Sequence, residues 1–133
     1  MAWIIPVVDR ELHDVLAKTK KGYCNSSDLN RIEENCAELA SLFGVEVQTK
    51  SWSKTDFPSA SQMRRILVNI DYLREIYYTL SSTPITPENP FNTWQKFNDA
   101  EKILLDLHEL YLKNQQAFVF AGEAYAGDEI GVI

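Results

Sequence analysis

The stretch Ser59-Ala60-Ser61-Gln62-Met63-Arg64-Arg65-Ile66-Leu67-Val68-Asn69-Ile70-Asp71-Tyr72-Leu73-Arg74-Glu75-Ile76-Tyr77-Tyr78-Thr79-Leu80 decides the fold class. Met63, Ile66, Leu67, Ile70, Leu73, Tyr77 and Leu80 recur at three- and four-residue steps. That period places them on one face of an α-helix. Ser59 and Gln62 have the spacing of a capping box, in which each side chain satisfies the other residue's backbone N–H. Pro58 keeps Phe57 out of the helical region, so the helix starts after it. A stripe this long predicts a central helix over about 59–80.

Toward the N-terminus, Leu29, Ile32, Cys36, Leu39, Ala40 and Phe43 carry the same period and predict a helix over about 26–43. Asn25 or Ser26 is the cap, Asp28 adds charge favourable to the first turn, and Gly44 is the stop. Asp9, a short stripe of Leu12, Val15 and Leu16, and Gly22 after a basic end predict a further helix over about 9–21. The apolar start from Trp3 to Val8 lacks the features of a signal peptide. It is expected to lie on the core, or else to dock on a neighbouring subunit. Residues 45–57 alternate β-branched and polar residues and predict a short strand or extended loop.

Toward the C-terminus, Pro84, Pro87 and Pro90 predict an extended connector, since proline removes donors and fixes φ. Trp94, Phe97, Ile103, Leu104, Leu107, Leu110 and Tyr111 predict a last helix over about 93–114, with a stripe wide enough for two neighbours. Phe118-Val119-Phe120 and the glycines at 122, 127 and 131 then predict a change of character. The expected fold is mainly α, a compact bundle of three to four helices over 1–114. It carries a short extended segment and a β-prone tail over 115–133, a candidate subunit joint.

The 133 residues suit one domain, and a net charge of −6 works against binding nucleic acid or an anionic membrane. No apolar run is long enough to span a bilayer. Cys24 and Cys36 lack zinc-site spacing, with Cys36 on the second helix's stripe as a small core residue. His13 and His108 each have an acidic neighbour in sequence, but adjacent helical residues do not face each other. Glu33-Glu34 and Asp99/Glu101 read as solvated helix faces, and Arg64, Arg65 and Arg74 as partners for carboxylates. No catalytic, cofactor or metal motif stands out. The expected contacts for assembly or binding are aromatic: Trp52, Trp94, Phe118, Phe120 and Tyr125.

Two echoes stand out. Phe120-Ala121-Gly122-Glu123 is followed by Tyr125-Ala126-Gly127-Asp128, and Leu29-Asn30-Arg31-Ile32-Glu33 resembles Phe97-Asn98-Asp99-Ala100-Glu101. Asn is a poor helix former, so Asn30, Asn98 and Asn69 beside apolar stripes predict hydrogen bonds at helix contacts.

The string Asp28-Leu29-Asn30-Arg31-Ile32-Glu33, then Trp52 with Asp56-Phe57-Pro58, Arg65 to Ile70, Thr83-Pro84, Phe97 to Leu107 and the Ala-Gly-acid repeat follow one another in order over 25–128. In that order they resemble a family of small proteins encoded among tail and baseplate genes of prophages in Gram-positive gut bacteria. The resemblance implies a structural component of a phage tail, baseplate or fibre, made in the bacterial cytoplasm and assembled into the virion. Its implied partners are other tail subunits and copies of itself. A carbohydrate- or host-surface-binding adaptor, taking a glycan, is the alternative, and a hydrolase without a visible signature the third.

Overall fold

The computed structural model describes residues 3–16 and 25–125, with side chains through Gln115. It is mainly helical: α1 (Leu12–Leu16), α2 (Ser26–Phe43), α3 (Ala60–Ile76) and α4 (Trp94–Tyr125). Each of α2, α3 and α4 packs on the other two.

The three long helices start alike. Asn25 and Ser59 close capping boxes with Asp28 and Gln62, and the Thr93 hydroxyl accepts from the Lys96 backbone N–H. These caps stand at a constant interval of 34 residues, and the core follows the same interval. Ile32, Ile66 and Ala100 form one buried layer. Cys36, Ile70 and Leu104 form the next, and Leu39, Leu73 and Leu107 the third. Phe43, Tyr77 and Tyr111 finish the series as an aromatic cluster, with Phe43 stacked on Tyr77 at 4.6 Å. Equivalent positions lie level with one another, so α2, α3 and α4 run parallel around a quasi-threefold axis. The echo between 29–33 and 97–101 is two steps of this repeat, and Met63-Arg64-Arg65-Ile66-Leu67 is the step between them, whereas Asn69 is the equivalent of Asn35.

Parallel neighbours need a return path. After α2, Gly44 adopts the left-handed conformation (φ 76°), and the Val45 N–H reaches back to the Ala40 carbonyl at 2.8 Å, which ends the helix. Residues 45–57 then run back along the bundle as extended chain without a strand ladder. Residues 77–93 do the same after α3, which ends at Ile76, earlier than the stripe predicted. Tyr77 leaves helical geometry and stacks on Phe43, while Leu80 is 55% exposed.

Two expected elements change. Among the described residues of the predicted first helix, 9–16, the helix covers Leu12–Leu16, and its stripe of Leu12, Val15 and Leu16 is exposed. Asp14 is buried there instead, accepting the Glu11 N–H at 2.9 Å. Residues 17–24, including Cys24, lie outside the described residues. At the other end, α4 does not stop near Asn114 but continues to Tyr125. Extending a formed helix fixes one residue per added hydrogen bond, and that outweighs the weak strand preference of Phe118-Val119-Phe120. The expected tail thus begins with helix, and residues 126–133 lie outside the described residues.

Candidate functional site

Three grooves separate three parallel helices, and extended chain fills each. In the α2–α3 groove, Asn30 holds the backbone of Trp52 at both ends: the Trp52 N–H donates to its oxygen (2.7 Å) and its amide donates to the Trp52 carbonyl (2.9 Å). Glu33, one turn on, accepts the Trp52 indole N–H at 2.8 Å, the Lys50 N–H at 3.2 Å and both ends of the Arg65 guanidinium at 2.7 and 2.6 Å. Asn69 and Arg65 donate to the Gln48 carbonyl.

The α4–α2 groove repeats this scheme with the N-terminal arm. Asn98 accepts the Arg10 N–H (3.1 Å) and donates to the Arg10 carbonyl (2.9 Å). Glu101 accepts from the Arg10 guanidinium (2.6 Å), the Val7 N–H (3.1 Å) and Arg31 (2.6 and 2.8 Å). Asn35, the repeat partner of Asn69, grips Ile4 by its N–H and carbonyl. The arm is therefore a built part of the bundle, and Trp3 at its start stacks on His108 at 3.8 Å.

The asparagines do make the hydrogen bonds expected of them, but to these extended segments and not to neighbouring helices. Glu33 and Glu101 overturn the expectation of solvated faces, being 2% and 0% exposed. Both stand next to the core layer of Ile32 and Ala100, where only a paired carboxylate is tolerated. Burial works against charge on Arg31, but its bonds to Glu101 and Asp28 outweigh that and hold its pKa above the ordinary arginine value. Arg65 is raised chiefly by its bond to Glu33. Arg74 has a backbone partner, the Pro84 carbonyl.

The α3–α4 groove lacks this machinery, because Arg64 and Leu67 stand where the other helices have Asn and Glu. Thr83 donating to Asp106 (2.7 Å) and Thr86 to Asp71 (2.7 Å) hold the proline-rich connector instead.

The three helix starts meet at one end of the bundle around a cleft of about 820 Å³. Leu29, Met63 and Phe97, one repeat position, line it together with Trp52 and Phe91. Ser26, Ser27, Lys54 and Asn92 bring polar groups to the same cleft. Phe57 and Phe91 are repeat equivalents that behave differently. Phe91 is buried and stacks on Phe97 at 4.1 Å, whereas Phe57 stands 91% exposed on the lip. The Asp56 carboxylate accepts the Ser53 N–H at 2.8 Å, which, with Lys50, holds its pKa below the usual carboxylate range.

Of the aromatic contacts expected from sequence, Trp52 lies at this cleft, but it is 5% exposed, its N–H is spent on Glu33, and Lys50 covers its ring at 4.6 Å. It is a wall and not a free stacking platform. Trp94 opens α4 and is half-buried away from the cleft lining. Phe118, Phe120 and Tyr125 fall on the final turns of α4, where the backbone alone is described. Phe57 stands with Trp52 among the aromatics that the sequence places in the loop before α3, and Phe91 had no such reading; the aromatic two residues ahead of each cap was the available signal. Among the described residues no cluster of His, Cys, Asp and Glu is placed to hold a metal, and no helix is long and apolar enough to cross a membrane. Compared with protein-family models, with characterised proteins and with solved structures, the chain matches none.

Proposed function

We propose that this chain is an assembly subunit of a phage tail, baseplate or fibre, acting through protein–protein contacts and not through catalysis. The observation that carries the assembly reading is the length of α4. It has 32 residues against 18 in α2 and 17 in α3. At about 1.5 Å per residue it runs roughly 21 Å past the level of the Phe43–Tyr77–Tyr111 cluster. That extension carries Ala117-Phe118-Val119-Phe120-Ala121 and no charge between Lys113 and Glu123. A helix segment this short is marginal in water unless an apolar face is covered.

The placement among phage tail proteins draws on the order of sequence motifs from Asp28 to Asp128 and on nothing in the fold. The buried carboxylates Glu33 and Glu101 are committed to arginines. Light scattering on the full chain and on a chain ending at Gln116 tests the reading. The full chain is expected as an oligomer and the shortened one as a folded monomer. A full chain that stays monomeric at high concentration would remove the assembly reading. The adaptor reading keeps one point in its favour, the exposed Phe57 beside polar groups, and glycan binding lost on Phe57→Ala would support it.

A further inference from the structure

The parallel order gives the bundle two unlike ends, and the chain carries a segment suited to join them. We propose that residues 126–133 of one copy dock in the cleft at the helix starts of the next copy, so that subunits join head to tail. This deepens the assembly reading and rests on it.

Reach excludes the same molecule. The cleft contains Phe97, and α4 runs from there to Tyr125, about 42 Å of helix at 1.5 Å per residue. Eight residues beyond Tyr125 span at most about 27 Å when fully extended. The segment therefore cannot return to its own cleft, and any cleft it occupies belongs to another copy.

The chemistry is complementary. Residues 128–133 read Asp-Glu-Ile-Gly-Val-Ile, an acidic pair followed by three large apolar side chains, and no lysine or arginine follows Lys113. The cleft offers the half-buried Met63 and the exposed Phe57 as apolar surface, backed by the buried Leu29, Phe91 and Phe97. At its mouth stand Lys54 and the positive ends of three aligned helix dipoles. The acidic groups near this end are already neutralised, Asp28 by Arg31 at 2.7 Å and Asp56 by Lys50 at 3.4 Å. A cleft of about 820 Å³ is of a size to take a short peptide. Phe57, exposed on the lip, supplies the side chain that closes over it. A joint that uses unlike surfaces on each copy propagates as a ring or a filament and does not stop at a dimer.

Two full-length variants test the joint. Lys54→Glu with Phe57→Asp spoils the mouth of the cleft at exposed positions, and Ile130→Asp with Val132→Asp spoils the segment. Each alone is expected to be a folded monomer by light scattering and circular dichroism. Mixed, they retain one intact cleft and one intact segment, and are expected to form a 1:1 heterodimer that grows no further. A fluorescent peptide of residues 126–133 should bind the segment variant at least tenfold more tightly than the cleft variant. Equal binding of the peptide to both variants, or binding to neither, overturns the joint. If the full chain assembles and the cleft variant assembles equally well, the assembly reading stands and the joint falls. A monomeric full chain removes the assembly reading itself.

Discussion

Removing Glu101 should destabilise the bundle severely, and removing Arg31 with it should cost less than the two losses added together. Glu101 is fully buried and accepts from Arg10, Arg31 and the Val7 N–H. Asp28 completes a cluster of two arginines and two carboxylates, neutral as a whole, with Arg10 at 3.6 Å and Arg31 at 2.7 Å from it. Glu101→Met leaves one surplus positive charge among side chains only 3% and 12% exposed. Breaking a buried pair from one side costs about 3–5 kcal/mol. Arg31→Met leaves the surplus negative charge and is expected to cost somewhat less, about 2–4 kcal/mol, because Arg31 lies nearer solvent. In the double variant Arg10 and Asp28 remain as a neutral pair, so the two losses should not add. A coupling energy of at least about 1.5 kcal/mol is expected, within the range of charge pairs in one network. Urea denaturation followed by circular dichroism at 222 nm, on the four proteins of the cycle, measures it. Losses that add to within about 0.5 kcal/mol would show that Glu101 and Arg31 act independently, and the cluster would not be the unit described here.

Leu73→Ala, in the middle core layer's neighbour at 0% exposure, should cost about 2–5 kcal/mol in the same denaturation assay, as buried large-to-small changes do. Asn98→Ala should release the N-terminal arm while leaving the helices folded, and backbone amide exchange should rise at Arg10 and Val7 before it rises in α2 or α3. His108 has its pKa lowered, first by burial, so the folded state favours the neutral ring. Stability should therefore be fully present above the unfolded histidine pKa of about 6.5 and fall as the pH drops below it. His108→Gln should flatten that slope in melts between pH 7.5 and pH 5. Burial, with Glu33 nearby, pushes the Cys36 thiol far above its ordinary pKa. In a Cys24→Ser background it should react with a thiol reagent only as fast as the protein unfolds.

The three long helices were legible because their starts are chemical signals. Ser59 with Gln62 and Asn25 with Asp28 specify caps, and stripes such as Ile32, Cys36 and Leu39 specify a buried face. Leu12, Val15 and Leu16 gave the same kind of signal over too short a span, and they are exposed among the described residues. Glu33 and Glu101 were misread because carboxylates beside other carboxylates usually face water. What marks them is the asparagine three residues earlier and the matching Arg on the next helix, a pattern visible only once the 34-residue interval is recognised. The direction of the helices was not legible from periodicity at all. It follows from the long return segments, whose backbone partners Asn30 and Asn98 carry a polar signal that reads as a helix contact, and whose partner Asn35 carries none. The cleft was missed for the same reason, since Leu29, Met63 and Phe97 meet only when the helices run parallel.

Head-to-tail joining requires unlike ends, so the parallel order of α2, α3 and α4 carries the rest. Ser27, Ser61 and Gln95 are exposed equivalents near the helix starts, and Ser41, Glu75 and Glu109 are exposed equivalents about four turns on. Paired spin labels at 27 and 61, and at 27 and 75, introduced as cysteines in a Cys24→Ser background, can be measured by double electron–electron resonance. The parallel bundle predicts that the 27–61 distance is the shorter one, because positions 61 and 75 are separated by about 21 Å along α3. A 27–75 distance shorter than the 27–61 distance would mean that α3 runs antiparallel to α2, and it would contradict both the repeat and the joint built on it.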